Sequence, residues 1–366
     1  MGNVNSAKHH QPSDQNIIFT NNVGEAIDSI VGEIKPSKLF VLVDTNTDVL
    51  VLPRLAAISK AVESATKIVI KAGDEHKDLD TLAQVWSQLS ENGATRESML
   101  INVGGGVVTD LGGFAAATFK RGMAFINIPT TLLGAVDAAV GGKTGINFNN
   151  IKNQIGAFRQ ADAVVISATF FDTLSQHDLR SGYAEMIKHG LLESPEVFNR
   201  LIDSDVADID TNAMLNLLQE SVLVKKRIVD ADPTEKGLRR ALNLGHTIGH
   251  AYETLALERH SPIPHGYAVA YGMLTELVIS HMQLGFPSDT LQRYAKYVAE
   301  SYSSFNFSCE DYPNLLAYMA HDKKNASPER INFTLLEQVG KIKIDCIVGQ
   351  QDIKTALDIT RDLMGI

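Results

Sequence analysis

The chain has 366 residues, 44% hydrophobic and 21% charged, which is a globular composition too long for one ordinary core, so two domains are expected. Its 33 basic against 43 acidic side chains give a formal charge of −10, which argues against nucleic acid as a partner. Its two cysteines, Cys309 and Cys346, make no CxxC pattern, and no run of about 18 apolar residues occurs; a disulfide framework and a membrane span are set aside, and a cytoplasmic protein fits.

The polar start MGNVNSAKHHQPSDQN lacks the apolar stretch of a signal peptide, and residues 1–15 read as a disordered tail. Beyond it, short β-rich runs alternate with helical stretches. KLFVLVD (38–44), ATKIVIKAG (65–73), SMLINVGGG (98–106), MAFINIPTT (123–131) and AVVISA (163–168) read as strands. LPRLAAISKAVES (52–64) and TLAQVWSQLSENG (81–93) read as the helices between them. This alternation implies a mostly parallel sheet covered on both faces, and nearly continuous apolar strands agree with that.

From about residue 175 the texture turns helical. LRSGYAEMIKHGLLES, NAMLNLLQESVLVKKRIVDA, ALNLGHTIGHAYETLALE and GYAVAYGMLTELVISHMQLG all carry helical spacing, and INFTLLEQVGKIKI (331–344) reads as a late hairpin. The expected organisation is a Rossmann-like α/β domain over residues 16–173 and a mainly α-helical domain over 174–366.

Three features carry chemistry. VGGGVVTDLGGFAA (103–116) places three glycines between a buried strand and a helix. Without a Cβ, backbone N–H groups can approach a pyrophosphate at the positive end of a helix; the spacing is not GxGxxG, and a plain tight turn without a ligand is the lesser alternative. Asp44 ends the first strong strand, where a carboxylate either accepts from a ribose or caps a helix. GDEHK (73–77) follows the second strand at the same sheet edge. In the helical half, Glu185 accompanies Lys188 and His189, His246 and His250 stand four apart on one helix face, and His265 follows in PHG. One carboxylate with two or three imidazoles suits Zn²⁺ or a similar divalent ion; hydrogen-bonded structural histidines are the alternative. Lysines and arginines in glycine-rich or apolar settings (Lys143, Lys152, Lys225, Arg239, Lys323, Lys324) suit a carboxylate- or phosphate-bearing substrate in an otherwise acidic protein.

Taken together, GGGVVTDLGGFAA, RG, IPTTLLGAVDAAVGGKTGIN, KNQIGAF, AEMIKHG, GLRRALNLGHTIGHA, HGYAVAYGM and DKK stand in an order that resembles the 3-dehydroquinate synthase family, over roughly residues 38–345. The resemblance implies the dehydroquinate synthase-like two-domain fold and a homodimer. It implies NAD and Zn²⁺ (or Co²⁺) as cofactors and 3-deoxy-arabino-heptulosonate 7-phosphate as substrate, within aromatic amino-acid biosynthesis. Neither nucleic acid nor membrane is implied.

By position, the resemblance makes Glu185, His246 and His265 the metal ligands, which leaves His250 as a substrate contact and proton relay rather than the metal partner of His246. Asp44, Asn46, Asp74, Lys77, Gly104, Gly105, Gly106, Val107, Asp110, Thr130, Thr131, Lys143, Lys152 and Thr173 would face NAD. Asp137, Lys143, Lys188, Lys225, Arg239, Asn243 and His250 would be catalytic. Lys152, Asn153 and Lys323 would line the substrate, and Arg121 would reach the phosphate in the neighbouring subunit. Three positions depart from the family pattern: Asp74 and Tyr267 stand where Glu is usual, and Pro233 replaces an acid while Glu235 keeps the next. Rival expectations are a related sugar phosphate cyclase with another substrate, a metal-dependent polyol dehydrogenase, and a non-catalytic NAD- or metal-binding protein.

Overall fold

The computed structural model describes residues 15–149, 151–303, 305–320 and 331–366. Six parallel strands, β1 (Ile17–Phe19), β2 (Leu39–Asp44), β3 (Thr66–Ile70), β4 (Met99–Gly104), β5 (Ala124–Pro129) and β8 (Ala163–Ile166), pair in the order β1-β8-β5-β4-β2-β3. Alternate side chains leave opposite faces of a strand. Phe40 and Leu42 therefore join one core with Leu100 and Phe125, while Val41 and Val43 join another with Ile101 and Ile126. Both faces are buried, so the strands read as unbroken apolar runs. Each such side chain contributes about 1.5–3 kcal/mol of burial free energy.

The first of these cores does not stop at the domain edge expected near residue 173. It runs on through Tyr183, Ile187, Val222, Ile248, Val269 and Leu277 of the helical half. The two halves are thereby packed together, with the carboxyl ends of the strands turned toward the helices that carry the histidines. Among the described residues, no helix is long and apolar enough to cross a membrane.

The expected strands stand, with two additions and one break. β1 is only three residues and carries no readable pattern. The glycine- and lysine-rich stretch after residue 142, given no element in the sequence reading, is an antiparallel hairpin, β6 (Lys143–Phe148) and β7 (Ile151–Phe158). The 52–64 helix is broken into Leu52–Ala56 and Lys60–Ser64. The break has a tertiary cause: the Asp28 carboxylate accepts from the Ser59 hydroxyl and from the Lys60 and Ala61 amides, which makes Ser59 a helix start. The late hairpin is β9 (Ile331–Gln338) and β10 (Lys341–Val348), four residues longer than the reading to residue 344. Of the residues read as a tail, Gln15 is described; it is buried and accepts from the Gly141 amide.

Three helices meet to present the expected metal ligands: Gln176–Glu193, His246–Glu258 and His265–Leu284. The last is apolar on nearly every side and almost wholly buried, as a central core helix should be. They approach closely because glycines remove the obstruction. A Cβ on Gly266 would stand 1.8 Å from the Ser181 carbonyl oxygen, and one on Gly272 would stand 2.1 Å from that of Gly245. Gly245 itself has φ +80, a left-handed conformation that ends the turn before His246. Beneath it, the fully buried Glu276 accepts from the Gly245 and Ile248 amides at 2.6 and 3.2 Å and so caps the His246 helix.

Candidate active site

Glu185 has no exposed surface, and its Oε1 lies 3.5 Å from Nε2 of His246 and 3.8 Å from Nε2 of His265. The three residues bring one ligand atom each within 4.8 Å of one another. In both rings the other nitrogen is already engaged. His246 Nδ1 is 3.1 Å from the Leu244 carbonyl oxygen and His265 Nδ1 is 3.3 Å from Glu253 Oε2. A ring that donates through Nδ1 keeps its Nε2 lone pair for a metal, and that pattern is the usual support of a histidine ligand. Among the described residues neither Glu185 oxygen has a hydrogen-bond partner, although the Lys188 ammonium is in ion-pair contact. Two imidazole nitrogens and a buried carboxylate without hydrogen bonds are a donor set that fits a divalent ion. Burial opposes charge on His265, yet Glu253 and Glu185 outweigh it and raise its pKa from the ordinary histidine range.

His250 is exposed one turn along, its ring 5.4 Å from that of His246 and 5.9 Å from that of His265. A second possible grouping, His250 with Glu253 and His265, is more open to solvent. His189 turns away from all of these. Its Nδ1 meets the Ser221 hydroxyl at 2.7 Å in a small pocket lined by Met186, Val197 and Leu217, so the structural reading suits it.

The cations gather beside the ligand set. Lys225 Nζ donates to the Asp137 carbonyl at 2.5 Å and to its carboxylate. Asp137 sits in a π-helical turn, Gly134–Ala138, a local distortion common at functional sites. Burial would raise its pKa, but Lys225 and Lys188 hold it well below the usual carboxylate range. Arg239 is buried, and its guanidinium donates to the Pro233 and Gly141 carbonyls at 2.8 and 3.0 Å. Those acceptors are neutral, which leaves the guanidinium suited to an incoming anion. A Cβ on Gly141 (φ +106) would stand 3.0 Å from Arg239 Nη2 and 3.7 Å from Lys225 Cε, so both cations close over that glycine. Glu235, itself in a left-handed conformation, joins Lys143 to Asn243 through its two oxygens. From the hairpin, Lys152 Nζ reaches Glu253 Oε1 at 2.7 Å.

The dinucleotide-type features line the carboxyl edge of the sheet. Gly104–Gly106 leave β4 for the helix Gly106–Thr118. A Cβ on Gly105 would meet the Thr131 side chain at 3.1 Å and one on Gly106 would meet Ala138 at 3.2 Å, so side chains here would fill the cradle. Thr130 donates its amide to the Gly104 carbonyl, which binds the two strand ends together. Lys77 Nζ lies 2.5 Å from Asp110 Oδ2 and 2.6 Å from Asn153 Oδ1, and Asn147 donates to Asp74. Small residues at a helix N-terminus, with a buried lysine beside them, fit a pyrophosphate group. Val107 follows in the same helix. Asp44 stands just before the helix Thr47–Leu50, whose N-cap is Asn46, and its Oδ1 accepts from the Asn46 and Thr47 amides and from the Thr47 hydroxyl. Thr173 lies past β8 and donates its hydroxyl to Phe170. Arg121 is the outlier. It is exposed at the far end of the 13-residue Gly106 helix, roughly 20 Å from the glycine turn. Lys323 lies outside the described residues.

Removing Lys77 gives a pH-dependent result. Burial raises the Asp110 pKa, and Lys77 only partly opposes it. A carboxylate with a raised folded-state pKa costs stability above that pKa, and the cost is relieved as pH falls through it. Lys77→Met is therefore expected to lose about 3 kcal/mol near neutral pH, with the deficit narrowing on acidification. Thermal melts at pH 7.5 and pH 5 check this; a deficit independent of pH contradicts it.

Glu253 and Glu276 have no motif signal in the sequence. Each does its work through a contact between helices that spacing along one helix does not reveal.

Fold and site together define a class: an α/β sheet with a dinucleotide-type edge, facing a helical half that offers a carboxylate, two imidazoles and a cation cluster. The family model described as 3-dehydroquinate synthase N-terminal matches residues 67–181, and the one described as 3-dehydroquinate synthase C-terminal matches residues 182–325. The 3-dehydroquinate synthase of Parabacteroides distasonis is 46% identical over 97% of this chain and 100% of its own length. That of Clostridium tetani is 35% identical over 88% of this chain and 85% of its own. Among solved structures, a 2-epi-5-epi-valiolone synthase of Streptomyces hygroscopicus with NAD⁺ and Zn²⁺ bound superposes with a TM-score of 0.84 at 24% identity, covering 99% of each chain. A 2-deoxy-scyllo-inosose synthase complexed with carbaglucose-6-phosphate, NAD⁺ and Co²⁺ gives 0.83 at 22% identity, covering 95% of this chain and 96% of that one. The chain belongs to the 3-dehydroquinate synthase family and is an enzyme of that type.

Proposed function

We propose that this enzyme converts 3-deoxy-arabino-heptulosonate 7-phosphate to 3-dehydroquinate and phosphate, as a carbon–oxygen lyase. The observation that carries the substrate assignment is the cation cluster: Lys143, Lys188, Lys225 and Arg239 converge beside the Glu185–His246–His265 set in a protein of net charge −10. Such a cluster suits a substrate with both a carboxylate and a phosphate, and a polyol dehydrogenase has no need of it.

A divalent ion on Glu185, His246 and His265 supplies Lewis-acid polarisation of substrate oxygens, and NAD at the glycine turn supplies a reversible oxidation with no net redox change. The protein's own groups do the rest. Arg239, Lys143 and Lys152 clamp the anionic ends, fixing orientation and stabilising charge. Glu235 holds Lys143 and Asn243 in register. Once the substrate carbinol is a ketone, the adjacent C–H is acidic, and phosphate leaves by β-elimination, taking that proton itself. Reduction, ring opening and internal aldol closure follow, with His250 at the open side of the cluster moving protons between substrate oxygens. Burial lowers the Lys225 ammonium pKa, and the neighbouring Asp137 carboxylate opposes that shift.

The NAD-bearing half is residues 16–173 and the metal- and substrate-bearing half residues 174–366. The enzyme works as a cytoplasmic homodimer in aromatic amino-acid biosynthesis. The exposed Arg121 then serves the partner's phosphate site, which accounts for its distance from its own. Product analysis tests the reading: NMR of the reaction mixture should show one carbocyclic keto acid. A different carbocycle from a different sugar phosphate would replace this substrate with that of a related cyclase.

A further inference from the structure

Glu253 lies on the His246–Glu258 helix, and its side chain is 13% exposed. Its two oxygens point at different partners. Oε2 is 3.3 Å from His265 Nδ1, and Oε1 accepts from Lys152 Nζ at 2.7 Å. Lys152 belongs to β7 of the hairpin and also lies 3.5 Å from Asp74 Oδ2. Asn147 of β6 in turn donates to the Asp74 carbonyl at 3.0 Å. An unbroken polar path therefore runs from the loop after β3, through the hairpin, to the imidazole of His265.

Glu253 holds the nitrogen of His265 that faces away from Glu185, since it is Nε2 that lies 3.8 Å from Oε1 of Glu185. A carboxylate on Nδ1 fixes the ring's tautomer and direction and makes Nε2 a better donor. The same carboxylate is the anchor of Lys152, so an arrangement that suits one partner constrains the other.

We propose that Glu253 is a positioning residue that orients His265 toward the ion and, through Lys152, makes metal and dinucleotide binding reinforce each other. The inference rests on Glu185, His246 and His265 being the ligands. Binding linkage is reciprocal, so whatever factor NAD⁺ adds to metal affinity, the metal adds to NAD⁺ affinity.

The test is titration of the metal-free full chain with Co²⁺, followed by visible absorption, with and without NAD⁺. In the unaltered protein NAD⁺ should tighten Co²⁺ binding by roughly 5-fold or more. Glu253→Ala should weaken Co²⁺ binding by roughly 10–100-fold and abolish the NAD⁺ effect. Glu253→Gln keeps the volume and an acceptor for Nδ1 but not the charge that holds Lys152. It should bind Co²⁺ nearly normally yet lose the NAD⁺ effect, and it carries the test where the alanine variant does not fold. Lys152→Met should behave in the same way. Unchanged Co²⁺ affinity in Glu253→Ala, or an NAD⁺ effect that is missing from the unaltered protein or persists in Glu253→Gln, overturns the proposal. Co²⁺ binding that survives Glu185→Gln but not Glu253→Gln would instead place the ion on His250, Glu253 and His265, and so overturn the ligand assignment itself.

Discussion

Glu185→Gln is expected to lose the bound metal ion and to lower turnover by about 10³-fold. The carboxylate is fully buried among three helices, without a hydrogen-bond partner for either oxygen among the described residues, and Nε2 of both histidines faces it. An amide of the same shape offers no anionic donor, and two imidazoles alone hold a divalent ion poorly. Lewis-acid stabilisation supplies several kcal/mol at the transition state, and each 1.36 kcal/mol is tenfold in rate. Metal analysis of the purified variant, beside its turnover, checks the prediction. A variant that retains a full complement of metal contradicts the ligand assignment.

Lys188→Met is expected to separate two quantities that Glu185→Gln lowers together. Lys188 is 1% exposed and in ion-pair contact with Glu185, one helical turn earlier. Without an ion, that ammonium is what neutralises the buried carboxylate. A divalent ion held by Glu185, His246 and His265 would take up the carboxylate charge in its place and would leave the Lys188 ammonium to a substrate anion. Lys188→Met removes a competitor for Glu185, so metal affinity should hold or rise. Turnover should fall by roughly 10²–10³-fold, the cost of losing one preorganised charge partner. A parallel loss of metal affinity and turnover would make Lys188 a structural counter-charge and nothing more.

What the sequence made legible depended on whether the cause was local. The five main strands announced themselves because burial on both faces demands apolar residues at every position. The central helix from His265 was equally plain, since its buried residues are almost unbroken. The break between the two short helices at Ser59 was not, because it depends on Asp28 arriving from another element. The β6–β7 hairpin was hidden for a related reason: residues 151–156 are exposed, so no alternation of apolar and polar side chains marks the strand.

The site divides along the same line. Glu185, His246 and His265 were read through the family resemblance, and the structure gathers them. The local signal, two histidines four apart, had favoured His246 with His250, and helix spacing alone cannot bring in a ring from another helix. Glu253 and Glu276 act from one helix upon another, so neither has a pattern to detect. Asp44 was balanced between two readings, and its Oδ1 accepts three bonds from Asn46 and Thr47 at the start of the next helix without being that helix's N-cap residue.

The most direct test of the account is phosphate release from 3-deoxy-arabino-heptulosonate 7-phosphate with NAD⁺ and Zn²⁺ present, before and after EDTA, with absorbance at the NADH band followed throughout. The account predicts metal-dependent release with no accumulation of NADH. Release that continues unchanged after the metal has been stripped, or NADH that accumulates with turnover, would contradict it.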